Sequence, residues 1–451
     1  MSFQTYQEAV DWITGLRANG IKPGLKRMEY MMDRLEHPHR RLKFIHVAGT
    51  NGKGSTCAML DQVLRSAGYD VGRFTSPYLE KFTDRITFNG EPIPEEEVLR
   101  LTNRIKPLAE ELDRTELGHP TMFEICTTLA ILYFAEVSYP YYVVWETGLG
   151  GRLDSTNIVI PLVSVITNVG MDHTELLGDT LESIAYEKAG IIKPGVPVVT
   201  AVEQPEALRV IEEIAAAKKA TVYRYKKQFD FAVSLSQPAE RMQAMDFVGP
   251  FREYSGLEVA LQGAHQLKNA AVAVMTLEIL RQYYALIMEE EDLRSALAQV
   301  KWPGRLEQVS DSPRIILDGA HNPEGAEVLA DALKQSYRYE RLHIMAGMLA
   351  SKHHREYCRH ILPLADTIIV TQPNIDKAKE AGELYELIID LKREMGLDRL
   401  EVSLEPDWHK ALERLKKMSG PQDLAVVTGS LYLVSDVRSM LFYQTESEKG
   451  W

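Results

Sequence analysis

The feature that most constrains the fold of this chain is a short apolar run that leads directly into a glycine-rich turn. Residues 43–48 (KFIHVA) predict a buried strand, and residues 49–55 (GTNGKGS) follow as the turn and the start of a helix. Strand, turn and helix in this order are the building unit of wound parallel sheets. The N–H groups of such a turn and of the helix N-terminus suit a polyanion, and Lys53 adds a positive charge. The segment therefore predicts a phosphate site, with a ligand-free structural turn as the alternative.

The turn departs from the common phosphate-loop pattern at two positions. Val47 stands five residues before Gly52, where the pattern has glycine, and Gly54 separates Lys53 from Ser55. These departures disfavour ordinary GTPases and kinases, whose loops follow the pattern.

The sequence around the turn predicts a mainly parallel sheet. Short apolar runs alternate with amphipathic segments from residue 43 to residue 202. A helix from Ser55 to Ala67 is expected to end before Gly68, as helices often do at glycine. Residues 76–94 are rich in charge and predict an extended surface loop with a short hairpin around Asn89-Gly90. The predicted strands are Phe44–Ala48, Val71–Thr75, Tyr141–Glu146, Leu162–Thr167 and Val196–Thr200.

The second half of the chain predicts a small β patch and then another α/β domain. Residues 228–262 lose the helical rhythm and favour antiparallel strands, and helices are expected from Gly263 and over Glu291–Gln299. Beyond the break at residues 302–305 (WPGR), strands are predicted at Arg314–Leu317, Leu342–Ala346, Thr367–Thr371 and Leu424–Thr428.

We therefore predict an α/β protein with a P-loop-type, mainly parallel domain at 1–299 that carries the β patch. A linker at 300–306 and a smaller, Rossmann-like α/β domain at 307–451 follow. We expect the second domain to complete the site on the first, because ligand sites are common between domains. The tail from Thr445 is expected to be loose.

Composition limits the partners. The chain has 51 basic and 64 acidic side chains, and its net charge of −13 opposes attraction to nucleic acid or anionic lipid. It has no apolar run of roughly 18 residues and no basic-then-apolar N-terminus, so we expect a cytoplasmic protein with small-molecule substrates and no membrane contact. Cys57, Cys126 and Cys358 lack metal-ligand spacing, so neither disulfides nor zinc are expected, and two of the three lie in apolar helical patterns that favour a buried thiol.

Three further side chains could carry chemistry. Glu146 ends a strand where α/β sheets bind ligands and suits Mg²⁺, with an ion pair to Arg152 as the alternative. On chemistry alone, His173 is more often a hydrogen-bonded structural residue than a Mg²⁺ ligand. Lys188 near a helix end would ordinarily be a solvated cation.

Together the motifs closely resemble the folylpolyglutamate synthase family, including its bifunctional dihydrofolate synthase members, within the Mur ligases. The resemblance runs in order from about residue 20 to residue 435. The segments that carry it are GTNGKGS at 49–55, TSP at 75–77, ETGLGGR at 146–152, GMDH at 170–173, EKAG at 187–190, WPGR at 302–305 and DGAHN at 318–322.

The resemblance implies a role for each matching residue. The ATP phosphates would bind Gly52, Lys53, Gly54 and Ser55, with Asn269, Arg305 and Asp318 as further ATP contacts. Ser76, Glu146, His173 and Lys188, the last as a CO₂-derived carbamate, would hold two Mg²⁺ ions, and K⁺ is allowed as a further cofactor. Lys53, Lys188, Arg305 and His321 would be the catalytic residues. The pterin would bind Thr121, Met122, Phe123, Glu124, Leu153, Asp154 and Ser155.

Two of these residues have plain alternatives. Arg305 could form a surface ion pair, although its WPGR context and the suitability of Arg for phosphoryl charge favour function. Phe123 lies in an apolar helix, where core packing is nearly as well supported.

The implied activity is ATP-dependent amide formation between L-glutamate and dihydropteroate, a reduced folate, or both, through an acyl phosphate, in a monomer. One rival is a Mur-type ligase acting on a cell-wall nucleotide precursor. The extra glycine at Gly54, the TSP segment and the lack of a recognisable additional N-terminal domain disfavour it. The other rival is a non-catalytic nucleotide switch, whose guanine signatures are not found in suitable contexts.

Overall fold

The computed structural model describes residues 2–20, 22–234, 242–445 and 447–448. These residues form two compact units. Unit 1 comprises the described residues up to Ala260 together with Gln266–Val300, and unit 2 comprises Leu261–His265 and the described residues of Lys301–Glu448. The expected loose tail falls largely outside the described residues, and so does part of the segment predicted as a β patch.

Unit 1 is built on one large sheet with the strand order β4-β3-β2-β5-β1-β6-β7-β8. Neighbouring strands are parallel in the part of the sheet that runs β2-β5-β1-β6-β7-β8. At one edge, β3 pairs antiparallel with both β2 and β4. The predicted mainly parallel sheet is thus confirmed. The strands are β1 (Phe44–Ala48), β2 (Val71–Phe74), β3 (Ile86–Phe88), β4 (Glu91–Pro92), β5 (Tyr142–Glu146), β6 (Val163–Ile166), β7 (Val198–Thr200) and β8 (Val222–Arg224).

Helices cover the faces of this sheet because its strands are buried and apolar. The predicted helix after the glycine-rich turn begins at Lys53 and ends before Gly68, whose φ of 83° allows the left-handed turn after the helix. The helices before residue 300 are α1 (Tyr6–Gly15), α2 (Lys26–Arg34), α3 (Lys53–Ser66), α4 (Glu95–Asp113), α5 (Met122–Tyr133), α6 (Thr174–Leu177), α7 (Leu181–Ala189), α8 (Pro205–Ala217), α9 (Ala264–Tyr284) and α10 (Glu290–Gln299).

The predicted β patch is confirmed as a small antiparallel sheet. It has the order β11-β10-β9, with β9 (Asp230–Val233), β10 (Gln243–Val248) and β11 (Glu253–Val259). Buried residues alternate with exposed or half-buried ones in β11 except at one step, as expected for a sheet with one wet face.

The segment 76–94 differs in part from its prediction as a surface loop. The hairpin at Asn89-Gly90 is present as β3 and β4. The preceding 3₁₀-helix, Phe82–Arg85, is largely buried, because Phe82 joins the apolar core formed with α4 and α5.

Unit 2 is a second α/β layer structure with the strand order β12-β13-β17-β14-β15-β16. All neighbours are parallel except β12 and β13, and the Rossmann-like prediction is confirmed. The unit has its own apolar core between the sheet and its helices. Its strands are β12 (Glu307–Asp311), β13 (Arg314–Leu317), β14 (Leu342–Ala346), β15 (Thr367–Gln372), β16 (Glu401–Asp407) and β17 (Leu424–Thr428). Its helices are α11 (Pro323–Ser336), α12 (His354–Ile361), α13 (Ala381–Glu394), α14 (Trp408–Met418) and α15 (Leu431–Tyr443).

Among the described helices, none combines the length and the apolar character that crossing a membrane requires. The three cysteines are free and buried.

Candidate functional site

The glycine-rich turn joins β1 to α3 and has the geometry of an anion site. Gly52 caps the helix with φ of 80°, and a Cβ there would lie 2.5 Å from Oδ1 of Asn269, so both the backbone and the close approach require glycine. The first N–H groups of α3 have no acceptor within the helix and carry the positive end of its dipole. Lys53 Nζ donates to the carbonyls of Gly49 (3.0 Å) and Thr50 (3.3 Å), which holds the ammonium against the turn.

Helix α9 covers the start of α3. Asn269, which the family resemblance assigns to ATP, donates through Nδ2 to Oε1 of Gln266 at 3.0 Å. Gln266 Nε2 in turn donates to Oγ of Ser55 at 3.2 Å. The structure therefore brings together the predicted residues Gly52, Ser55 and Asn269. Sequence reasoning missed Gln266, although its position three residues before Asn269 places both on one helix face.

The two predicted metal ligands Ser76 and Glu146 are neighbours. Glu146 ends β5 and is buried, and its Oε2 accepts the Ser76 N–H at 3.0 Å. The alternative partner of Glu146, Arg152, instead donates to Oε1 of Glu187 at 2.8 and 3.2 Å. A carboxylate beside a serine provides the oxygen donors that Mg²⁺ prefers, so this pair fits the ion.

The third predicted metal ligand, His173, is exposed. It precedes α6 with φ of 52°, its side chain is 46% exposed, and its Nε2 lies 4.0 Å from Oδ2 of Asp172. Within the described ranges, no group of three or more His, Cys, Asp or Glu side chains is arranged to hold a metal ion. Its role as a magnesium ligand therefore stays a prediction.

Lys188 is buried, so its interpretation as a solvated helix-end cation is wrong. Only 3% of its surface is exposed in the last turn of α7. Burial, with a further contribution from Lys53, lowers the pKa of Lys188 to about 7, while Asp172 and Asp154 act in the opposite direction. This lowering of the pKa favours the neutral, nucleophilic form of the amine.

Helix α5 presents the first group of predicted pterin residues at its N-terminus. Thr121 and Glu124 form a capping box, with the Thr121 N–H donating to Glu124 Oε2 at 2.7 Å. Arg27 Nε also donates to both oxygens of Glu124, at 3.0 and 2.9 Å. The Glu124 carboxylate is thus held by two protein partners, and no sequence pattern pointed to Arg27. Met122, at the first helical position, is 9% exposed.

Phe123 is half-buried rather than enclosed in the core. Its ring lies on Gly148, where a Cβ would come within 2.5 Å of the ring, and its centroid is 5.7 Å from that of Phe74. This position leaves part of the ring accessible beside the turn after β5.

Asp154 shapes the same turn. Its Oδ2 accepts the N–H groups of Gly148 (3.1 Å) and Leu149 (2.8 Å), and its Oδ1 accepts that of Thr156 at 3.0 Å. Burial raises the pKa of Asp154, and these hydrogen bonds oppose the rise. The remaining predicted residues lie alongside: Ser155 Oγ is 2.8 Å from Thr127 Oγ1, and the Leu153 carbonyl accepts the Gly24 N–H at 3.2 Å.

Three further predicted residues cluster within unit 2. Asp318 is buried, its Oδ2 accepts the Leu306 N–H and its Oδ1 the Ala320 N–H, both at 2.9 Å. Burial raises the pKa of Asp318, and the positive charge of Arg305 opposes this rise. His321 Nδ1 lies 2.8 Å from the Gly319 carbonyl oxygen.

The contacts that hold the turn containing Arg305 were not predicted from the sequence. Glu307 Oε2 accepts the Gly304 N–H at 2.8 Å and Arg438 Nε at 3.0 Å. A glutamate three residues after the turn glycine was the available signal, whereas Arg438 is too distant along the chain to be inferred.

Fold and turn together define a two-unit α/β protein of the Mur ligase class, and comparison with known proteins agrees. Residues 47–277 match the Mur ligase middle domain, and residues 304–431 match the Mur ligase glutamate ligase domain. The chain belongs to the dihydrofolate synthase/folylpolyglutamate synthase family of these ligases.

Individual relatives span nearly the whole chain. The dihydrofolate synthase/folylpolyglutamate synthase of Bacillus subtilis is 42% identical over 97% of this chain and 100% of its own. The crystal structure of folylpolyglutamate synthase from Thermotoga maritima has a TM-score of 0.84 and 36% identity, covering 98% of both chains. The structure of E. coli FolC in complex with DHPP and ADP has a TM-score of 0.85 and 28% identity, also covering 98% of both chains.

Proposed function

We propose that this protein is an ATP-dependent ligase that joins L-glutamate to a folate-type acid. The observation that carries the proposal is the meeting of charged groups around Lys188 in unit 1. Its ammonium is within electrostatic reach of Lys53 from the phosphate turn, Asp172 from the segment after β6, and Asp154 from the predicted pterin residues. Nucleotide, metal and acid substrate would thus be held around one buried amine.

The reaction requires two anions to meet. A carboxylate oxygen of the acid attacks the γ-phosphorus of ATP, the bond to ADP breaks, and an acyl phosphate forms. The amine of glutamate then attacks the acyl carbon, phosphate leaves, and the amine proton is lost. The N–H groups from Gly52 to Ser55 and the Lys53 ammonium would offset charge on the transferring group, and Asn269 would hold the nucleotide from α9.

Ser76 and Glu146, together with His173 and a carbamylated Lys188, would hold two Mg²⁺ ions. Bound magnesium would neutralise phosphate charge and fix the phosphoryl group relative to the acid. K⁺ is the remaining proposed cofactor, and replacing it with Na⁺ in the assay tests that role.

Lys188 would supply an anionic ligand by reacting with CO₂. Its neutral amine attacks the carbon of CO₂, an N–C bond forms, and a proton leaves to give the carbamate. Burial of the amine supports this chemistry because the neutral form is the nucleophile. Carbon NMR of protein exposed to ¹³C-labelled CO₂ should show one carbamate signal that Lys188→Met lacks. An unmodified ammonium in a structure with metal and nucleotide bound would contradict it.

The residues of unit 2 receive roles in the same proposal. Arg305 and Asp318 would bind ATP. Arg305 would stabilise phosphoryl charge, and Asp318 also accepts the backbone N–H groups of Leu306 and Ala320. His321 would act in the phosphoryl or amide step. Arg305→Lys and His321→Asn should each lower kcat while the secondary structure is retained.

The acid would bind Thr121, Met122, Phe123 and Glu124 at α5 and Leu153, Asp154 and Ser155 beyond the turn. Purified enzyme with ATP, Mg²⁺ and labelled glutamate, offered dihydropteroate and tetrahydrofolate separately, identifies the acid. ADP formation should need both the acid and glutamate. Hydrolysis of nucleotide without either would favour a nucleotide switch, and label transfer only to a cell-wall nucleotide precursor would favour another Mur-type ligase.

A monomer is expected, and light scattering during purification tests it.

A further inference from the structure

The phosphate turn is irregular backbone, so its shape depends on partners from elsewhere in the fold. Thr50 and Asn51 lie between β1 and α3, outside any helix or strand. Buried or half-buried N–H groups in such segments need acceptors, and the direction of these N–H groups decides which face of the turn meets a ligand.

One side chain accepts from both residues. Oδ1 of Asn168 accepts the Thr50 N–H at 3.1 Å and the Asn51 N–H at 2.8 Å, and the Asn168 carbonyl also accepts the Thr50 N–H at 3.2 Å. The two N–H groups therefore point toward Asn168. The N–H groups at Gly52 and the start of α3 are the ones assigned to phosphate.

The contacts on either side of Asn168 join the same two segments. Thr167 Oγ1 donates to the Asn51 carbonyl at 2.7 Å. Thr50 Oγ1 accepts the Gly170 N–H at 2.9 Å and lies 3.2 Å from the Gly170 carbonyl. The segment after β6 therefore contacts both Thr50 and Asn51 of the turn. The same segment continues directly to Asp172 and His173.

We propose that Asn168 is a positioning residue that sets the phosphate turn for nucleotide binding and ties it to the segment carrying His173. The inference rests on the proposed function, since it concerns the same nucleotide. Asn168 acts through the backbone of Thr50 and Asn51. A neutral amide suits this place because it accepts two N–H groups without bringing negative charge close to a polyphosphate.

Amide hydrogen exchange of the nucleotide-free protein tests the positioning directly. In Asn168→Ala, the Asn51 N–H loses the Oδ1 acceptor and should exchange at least tenfold faster. The Thr50 N–H keeps the backbone carbonyl of residue 168 and should change less. Asn168→Asp retains Oδ1 and should restore the slow exchange. Equal exchange at Asn51 in wild type and Asn168→Ala would overturn the inference.

Kinetics supply the functional half of the test. Asn168→Ala should raise KM for ATP about tenfold, the effect of losing hydrogen bonds of ordinary strength, and leave KM for the folate acid unchanged. Asn103→Ala is the matched control, because its Oδ1 also accepts a backbone N–H, that of Phe3 at 2.7 Å, and it should leave KM for ATP unchanged. An unchanged KM for ATP in Asn168→Ala would refute the positioning role and leave the ligase proposal intact. A wild-type protein that binds no nucleotide would overturn both.

Discussion

The Arg27 guanidinium donates through Nε to both carboxylate oxygens of Glu124, at 3.0 and 2.9 Å. The two side chains are 12% and 4% exposed, so this is a nearly buried ion pair between α2 and α5. It holds the N-terminus of α5, where the first predicted pterin residues lie.

Removal of one partner of this pair should cost more than removal of both. Arg27→Met leaves the Glu124 carboxylate buried without its cation and should destabilise the fold by about 3 kcal/mol. Adding Glu124→Gln, which can still cap the helix, should recover much of that loss. Urea denaturation of the single and double variants measures the difference. Equal stability of Arg27→Met and wild type would show that the pair contributes nothing.

Lys53→Ala should reduce glutamate-dependent ADP release by at least about 10²-fold, because the developing phosphoryl charge loses its cation. Glu146→Gln should reduce ADP release to a similar extent, because it removes the negative charge proposed to bind magnesium. The glutamine still offers an oxygen acceptor for the Ser76 N–H, so this contact is kept. Lys227→Ala, at an exposed position of unit 1, serves as the control. Near-normal turnover in either site variant would remove that residue from the proposed machinery.

Stability should depend on pH through Lys188. Its pKa is lowered to about 7 in the folded protein, against an ordinary value of 10.5, so unfolding between these values takes up a proton. The free energy of unfolding should therefore rise with pH from about 7 to 10.5, and Lys188 should contribute at most about 1.4 kcal/mol per pH unit to this rise. Below about pH 7, Lys188 should contribute no pH dependence. Urea denaturation in CO₂-free buffer measures this slope. Lys188→Met should lack it, and identical slopes would place the lysine in solvent.

Phe123→Ala distinguishes a pterin contact from core packing. A ligand role predicts a KM for the folate acid raised about fivefold, with KM for ATP unchanged, since stacking on a ring contributes about 1 kcal/mol. A packing role predicts a loss of stability of about 3 kcal/mol or more. Kinetics and thermal denaturation of the same preparation separate the two, and a large loss of stability with an unchanged KM would assign Phe123 to the core.

The central strands of both units follow from the sequence because they are short apolar runs between turns. Phe44–Ala48 and Arg314–Leu317 have the bounds that this pattern predicts. The edge strands Glu307–Asp311 and Glu401–Asp407 were missed because they are largely polar and partly exposed, so no apolar run marks them.

The candidate site could be assembled from motifs only in part. Glycines and strand-end polar residues predicted the turn, and the fold brings Gly52 to Asn269. The burial of Lys188 and the partners of Arg152 and Glu124 depend on contacts between distant segments, which local pattern cannot reveal. Pairs of this kind are set by tertiary packing rather than by propensity.

An isotope experiment tests the central claim most directly. The folate acid, labelled with ¹⁸O in its reacting carboxylate, is incubated with the enzyme, MgATP and glutamate, and the released phosphate is analysed by mass spectrometry. If the carboxylate attacks the γ-phosphorus to form an acyl phosphate, one ¹⁸O should pass to each phosphate released. Phosphate free of ¹⁸O, formed together with the amide product, would contradict this account.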